Sequence, residues 1–118
     1  MSLEVKSFDA PDEVRELPNV TVKVVNFGNG PVAQGTYEPG WHWSNDVKPV
    51  AGTASCQVLH VGYVVSGRLK IVADDGSTAE IGPGDVFRLA PGHDAWTDGD
   101  QPCVLVDFGG LHADTEPH

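Results

Sequence analysis

Glycine and proline cut this sequence into short lengths. Fourteen Gly and nine Pro are spread over 118 residues, and neither belongs in the middle of a long helix. Between them lie runs rich in Val, Ile, Thr and aromatic residues, which are strand formers. The runs at 20–26, 32–37, 57–65, 68–73, 78–81, 86–89 and 104–108 are the predicted strands. Ser66-Gly67 and Asp74-Asp75-Gly76 are turn sequences of the kind that join antiparallel neighbours. Many short strands with hardly any helix between them predict an all-β sandwich or barrel. At most one short helix is expected, capped by Asp9 and running from Pro11 to Leu17, with Asp12 and Glu13 near its positive end.

The length suits a single hydrophobic core. With 40% apolar and 20% charged residues the composition is that of a folded soluble chain, and no apolar run is long enough to span a bilayer. The opening MSLEVKSFDAPDEV is acidic where a secretion signal needs a basic start and an apolar middle, so a cytoplasmic protein is expected. A net charge of −10, with only seven Lys and Arg and no cluster of them, argues against nucleic acid and anionic membranes as partners. Two cysteines, Cys56 and Cys103, are too few for a disulfide framework, and each is expected as a thiol. The expected organisation is an N-terminal arm at 1–19, one β-domain at 20–110 and a polar tail at 111–118.

The longest predicted strand carries information about a partner. Its even positions are Val58, His60, Gly62 and Val64, and its odd positions are Leu59, Val61, Tyr63 and Val65. A period of two puts these sets on opposite faces, and both sets are largely apolar. A strand with one wet face alternates more cleanly. Both faces are therefore expected to be covered, one by the interior and the other by a second layer or, preferably, a second copy in a homodimer.

The stretch from Val61 to Leu89 reads VGYVVSGRLKIVADDGSTAEIGPGDVFRL and runs into APGHDAW. It resembles the core of a cupin: a strand ending in the Gly67 turn, a hairpin with Asp75-Gly76 at its tip, then Pro83-Gly84-Asp85 opening the next strand. A narrower likeness, carried by PGWHWS, KPVAGTASCQVLHVGYVVSG and PGHDAW, is to a group of small bacterial cupins and covers most of the chain from Phe8 to Phe108. The resemblance implies a single jelly-roll-like antiparallel β-barrel whose interior holds a ligand. It also implies where a metal would be bound. Counting from Gly67, the Glu of the usual cupin ligand set falls on His60 and its His pair falls near Ala54 and Cys56, while counting from Gly84 the last His falls on Ala95. All of these expected ligands are replaced.

Replacement does not remove metal-binding chemistry, because Cys56, His60 and His93 are residue types that bind zinc, iron, nickel or copper. Cys56 and His60 share strand parity, and His93 lies two residues before the expected His, so all three are candidate ligands for a divalent transition metal (zinc, iron, nickel or manganese). Each has a plain alternative: a hydrogen-bonded core histidine for His60, a small apolar core residue for Cys56, an exposed turn residue for His93. His42 is a candidate fourth ligand or ligand contact. Trp41, Trp43 and Trp96 are expected at the open end of the barrel, as flat walls for a small ligand or as ordinary packing. Asp94, next to His93, is a candidate to orient an imidazole. Asp107, in a strand of Val, Leu and Phe, is either an edge charge or a buried acid, and Glu38 is a weaker candidate pocket acid.

Two functions remain open from the sequence. One is a cupin that holds a metal and a small polar ligand and acts as a metal-dependent oxygenase or isomerase. The other is a metal-free module that binds or senses a small molecule. Nucleophilic catalysis by Cys56 with His60 is a third and more remote reading, since nothing nearby suggests an oxyanion hole. No catalytic residue is assigned.

Overall fold

The computed structural model describes residues 3–28 and 30–109, and these form two antiparallel sheets. In chain order the strands are β1 Glu13–Leu17, β2 Val20–Phe27, β3 Gly30–Tyr37, β4 His60–Ser66, β5 Leu69–Ala73, β6 Thr78–Ile81, β7 Val86–Leu89, β8 His93–Thr97 and β9 Cys103–Asp107. The larger sheet has the order β1-β2-β3-β9-β4-β7 and the smaller one β6-β5-β8. The expected all-β architecture is present, but the ladders of the two sheets do not join into a closed barrel. Among the described residues β6 pairs only with β5, and β7 only with β4.

The helix expected from Pro11 to Leu17 is instead strand β1, paired residue for residue with β2 from Glu13↔Val24 to Leu17↔Val20. Pro18-Asn19 explains the difference. Proline presets its own φ, and Asn19 adopts the left-handed region at φ 62°, which makes a two-residue hairpin turn. The hairpin offers the segment a full ladder with β2, which outweighs one capping carboxylate. Helix occurs elsewhere, as two single turns in the segment after Gly40: α1 Trp43–Asp46 and α2 Lys48–Ala51, the second ended by Gly52 at φ 76°. No helix of the described residues is long and apolar enough to cross a membrane.

The core lies between the sheets. Val22 and Val24 of β2, Tyr37 of β3, Val64 of β4, Ile71 of β5, Phe87 of β7 and Leu105 of β9 meet there with Trp41, Trp43 and Val47 from the helical segment. Each large side chain so buried contributes about 1.5–3 kcal/mol relative to exposure. Two strands approach unusually closely. Gly62 of β4 faces β9, where a Cβ would overlap the Val106 carbonyl oxygen and stand 2.8 Å from Phe87 Cζ. This contact seats β4 and β9 side by side, and the two strands carry His60 and Asp107.

Strand β4 begins at His60, not at residue 57. Its even positions His60, Gly62 and Val64 are buried, as the period of two requires, while Leu59, Val61, Tyr63 and Val65 are 39–49% exposed. Within one chain the second apolar face is therefore uncovered. The tail expected at 111–118 lies outside the described residues.

Candidate metal centre

Three elements deliver three donor atoms to one place. His60 opens β4 and points inward with Gly62 and Val64. His93 opens β8 and is in register with Ala73 of β5. Cys56 is not on β4, as the parity argument assumed, but in an isolated bridge with His93. The bridge is tight: the Cys56 amide donates to the His93 carbonyl at 2.7 Å, and the Gly92 amide donates to the Cys56 carbonyl at 2.7 Å. Backbone pairing with β8, rather than strand alternation, therefore sets the position of Cys56.

The ligating atoms of Cys56, His60 and His93 all lie within 4.8 Å of one another, and all three residues are buried. Cys56 Sγ stands 3.4 Å from His60 Nε2. The two imidazole rings are 5.5 Å apart between centroids, edge to face. Each ring is held at its other nitrogen. His60 Nδ1 donates to Asp107 Oδ2 at 2.7 Å, and His93 Nδ1 donates to the Ala90 carbonyl at 2.7 Å. An acceptor at Nδ1 fixes the ring proton there and gives Nε2 the lone pair, the tautomer in which metal-ligating histidines are usually held. Asp107 is itself 1% exposed, and its Oδ1 accepts the Gly109 amide at 2.8 Å.

The donor set fits a divalent transition metal. Tetrahedral bonds of about 2.3 Å to sulfur and about 2.0–2.1 Å to nitrogen place an S and an N ligand about 3.5 Å apart. The Cys56–His60 separation of 3.4 Å is close to that. Three ligands leave one coordination position for water or a substrate atom. Next to them is a chamber of about 40 Å³, walled by Trp41, Trp43, Phe87 and Leu105, among others. That is room for roughly one to three water-sized molecules.

Of the remaining sequence candidates, Trp41 and Trp43 line this chamber and are buried. His42, Asp94 and Trp96 do not line it. His42 Nε2 pairs with Asp94 Oδ2 at 2.9 Å, and the Ser44 amide donates to Asp94 Oδ1 at 3.2 Å. Trp96 lies against His42, with ring centroids 5.3 Å apart. These three residues clamp α1 to β8. Asp94 therefore does not orient His93, because adjacent strand residues point to opposite faces. Glu38 is exposed.

Asp107 is the residue that sequence reasoning left unassigned. Its signal was parity with Cys103 and Leu105, both fully or nearly fully buried in the same strand. Cys103 takes no part in the centre, and burial pushes its thiol up to about 11, so it stays protonated at neutral pH.

The comparisons agree with the fold. The EutQ-like cupin domain family matches residues 47–104, the segment that carries Cys56, His60 and His93. A structural genomics protein of unknown function from Rhizobium leguminosarum bv. viciae 3841 superposes with a TM-score of 0.59 over 100% of each chain at 19% identity. KdgF from Halomonas sp. gives a TM-score of 0.56 and 20% identity, covering 80% of this chain and 82% of that one. The formate complex of Lactobacillus farciminis oxalate decarboxylase gives 0.56 and 20% identity over 80% of this chain, which spans 30% of that enzyme. At these identities the likeness is one of fold. No curated protein matches the sequence. The chain is a small member of the cupin superfamily.

Proposed function

We propose that this cupin binds a divalent transition metal through Cys56, His60 and His93 and uses it to act on a small polar molecule. The convergence of the three buried donors, two of them with Nδ1 already committed, carries the reading. A metal bound there would act as a Lewis acid, polarising a carbonyl or lowering the pKa of a bound water. Asp107 and the Ala90 carbonyl hold the two rings in the ligating tautomer, and the indole walls exclude bulk water. Trp41 lines the chamber, and its buried Nε1 has no hydrogen-bond partner among the described residues, so a ligand oxygen within reach would satisfy it. Oxygenation and isomerisation are the reaction classes this reading favours, in a cytoplasmic setting.

Elemental analysis of protein purified without added metal, followed by zinc and cobalt titration, tests the proposal. One equivalent, lost in Cys56→Ser and His93→Ala, is the expected result. Failure to take up zinc, iron, nickel or manganese would sink it.

One observation favours a second reading. The contact between Cys56 Sγ and His60 Nε2 satisfies both groups without an ion, which suits a metal-free binding module. In that case a small molecule would quench the chamber tryptophans equally with and without EDTA.

The proposal includes a homodimer. The exposed face of β4, with Val86 at 78% exposure and Phe108 at 59%, makes a contiguous apolar surface of the kind that marks an interface.

A further inference from the structure

The two sheets part between β6 and β7, which follow one another through the turn at residues 82–85. They diverge from that turn and leave a cleft of about 440 Å³, in the size range of small-molecule sites. Its floor is apolar, with Ile71, Ala79 and Leu89. Leu89 and His93 also line the inner chamber, so the cleft and the chamber share a wall at the metal centre. The chamber alone is too small for an organic substrate. The cleft is not.

The rim of the cleft carries Asp74 and Asp75, from the tip of the β5–β6 hairpin. Asp74 Oδ2 accepts the Ser55 hydroxyl at 2.9 Å, and Asp75 Oδ1 accepts both the amide (2.9 Å) and the hydroxyl (2.6 Å) of Ser77. Those Ser77 bonds, the hydroxyl first, hold the Asp75 carboxyl below the usual carboxylate range, so it stays charged. Neither carboxylate forms a salt bridge with Lys or Arg among the described residues. Arg88 also borders the cleft, but it lies between Phe87 and Leu89 on β7, and these inward neighbours put its side chain on the opposite face.

We infer that the β6–β7 cleft is the substrate site and the route to the centre, and that it takes small neutral or cationic molecules rich in hydrogen-bond donors, such as polyols or amines, in preference to carboxylates and phosphates. The inference rests on the proposed function for what happens at the centre, but the route and its charge preference do not need a metal. Hydroxyl or ammonium groups meet the rim carboxylates while the far end of the molecule reaches past Leu89 to His93. An anion of the same size meets two uncompensated negative charges at the entrance.

The test uses metal-free full-length protein and three methanethiosulfonate reagents of similar size, one cationic, one neutral and one anionic. Modification of Cys56 is followed by peptide mass, which separates it from Cys103. At low salt the cationic reagent should react at least about tenfold faster than the anionic one, and Asp74→Asn with Asp75→Asn should reduce that ratio to about twofold or less. Ala79→Trp, which fills the floor from an exposed position, should slow all three reagents about tenfold, whereas Glu80→Trp on the other face of β6 should not. An unchanged rate in Ala79→Trp, or a charge ratio that survives neutralisation of the rim, overturns the inference. Because no metal is present, either result is separate from a failure of the protein to bind zinc.

Discussion

His60 Nδ1 and Asp107 Oδ2 lie 2.7 Å apart, with both side chains almost fully buried, on strands that pair through Gly62↔Asp107. A carboxylate in that position fixes the ring orientation and makes Nε2 a stronger donor to a metal. Asp107→Asn keeps the shape but removes the charge, and zinc affinity is expected to fall about 10–100-fold with little change in fold. Asp107→Ala should also destabilise the apo protein by about 1–3 kcal/mol, since it strands a buried imidazole N–H. Competition titration against a zinc indicator, with thermal melts of both variants, measures the two effects separately.

Removing a ligand should not unfold the chain. Cys56→Ser is nearly isosteric, and the bridge to His93 runs through the backbone, so the circular dichroism of the variant should match the parent. In the cobalt form, the parent is expected to show a sulfur-to-metal charge-transfer band that Cys56→Ser lacks. A band of unchanged intensity in the variant would remove Cys56 from the ligand set.

Cys103 makes stability depend on pH at the alkaline end. Its thiol titrates at about 11 in the folded chain against 9.0 as a free group. Between those values the unfolded state loses its proton first, so stability is complete below pH 9 and declines as pH rises toward 11. The loss approaches ~3 kcal/mol above that range. Urea titrations at pH 8 and pH 10.5 should show the decline in the parent and a smaller one in Cys103→Ala, and identical slopes in both would contradict it.

The exposed face of β4 should hold two copies together. Sedimentation at micromolar concentration is expected to give a dimer, and Tyr63→Lys with Val65→Lys a folded monomer. Both positions point away from the core, so the substitutions create no cavity. A monomeric parent at high concentration would rule out this use of the surface.

How much of this was legible in the sequence differs by element. Strands β6 and β7 occur at the predicted residues because Gly76, Gly82 and Gly84 bound them and alternation fills them. Strand β1 was misread because a capping pattern and a hairpin arm look alike over five residues, and only pairing with β2 decides between them. Cys56, His60 and His93 were named from residue type and family position. Their convergence depends on a bridge between residues 56 and 93 that no local pattern encodes. The imidazole that Asp94 meets is not that of its neighbour His93, for the same kind of reason. Sequence adjacency to His93 suggested a partner, while the strand turned the carboxylate toward His42, 52 residues away. Asp107 could be placed only once β9 was seen beside β4.

The unjoined edges of β6 and β7 also have a consequence for engineering. Hydrogen bonds that zipped this seam shut would cost no buried charge and would raise the melting temperature. They would also bar the interior from anything larger than water. Selection for heat resistance alone should therefore drift toward sealed variants whose interior small molecules no longer reach.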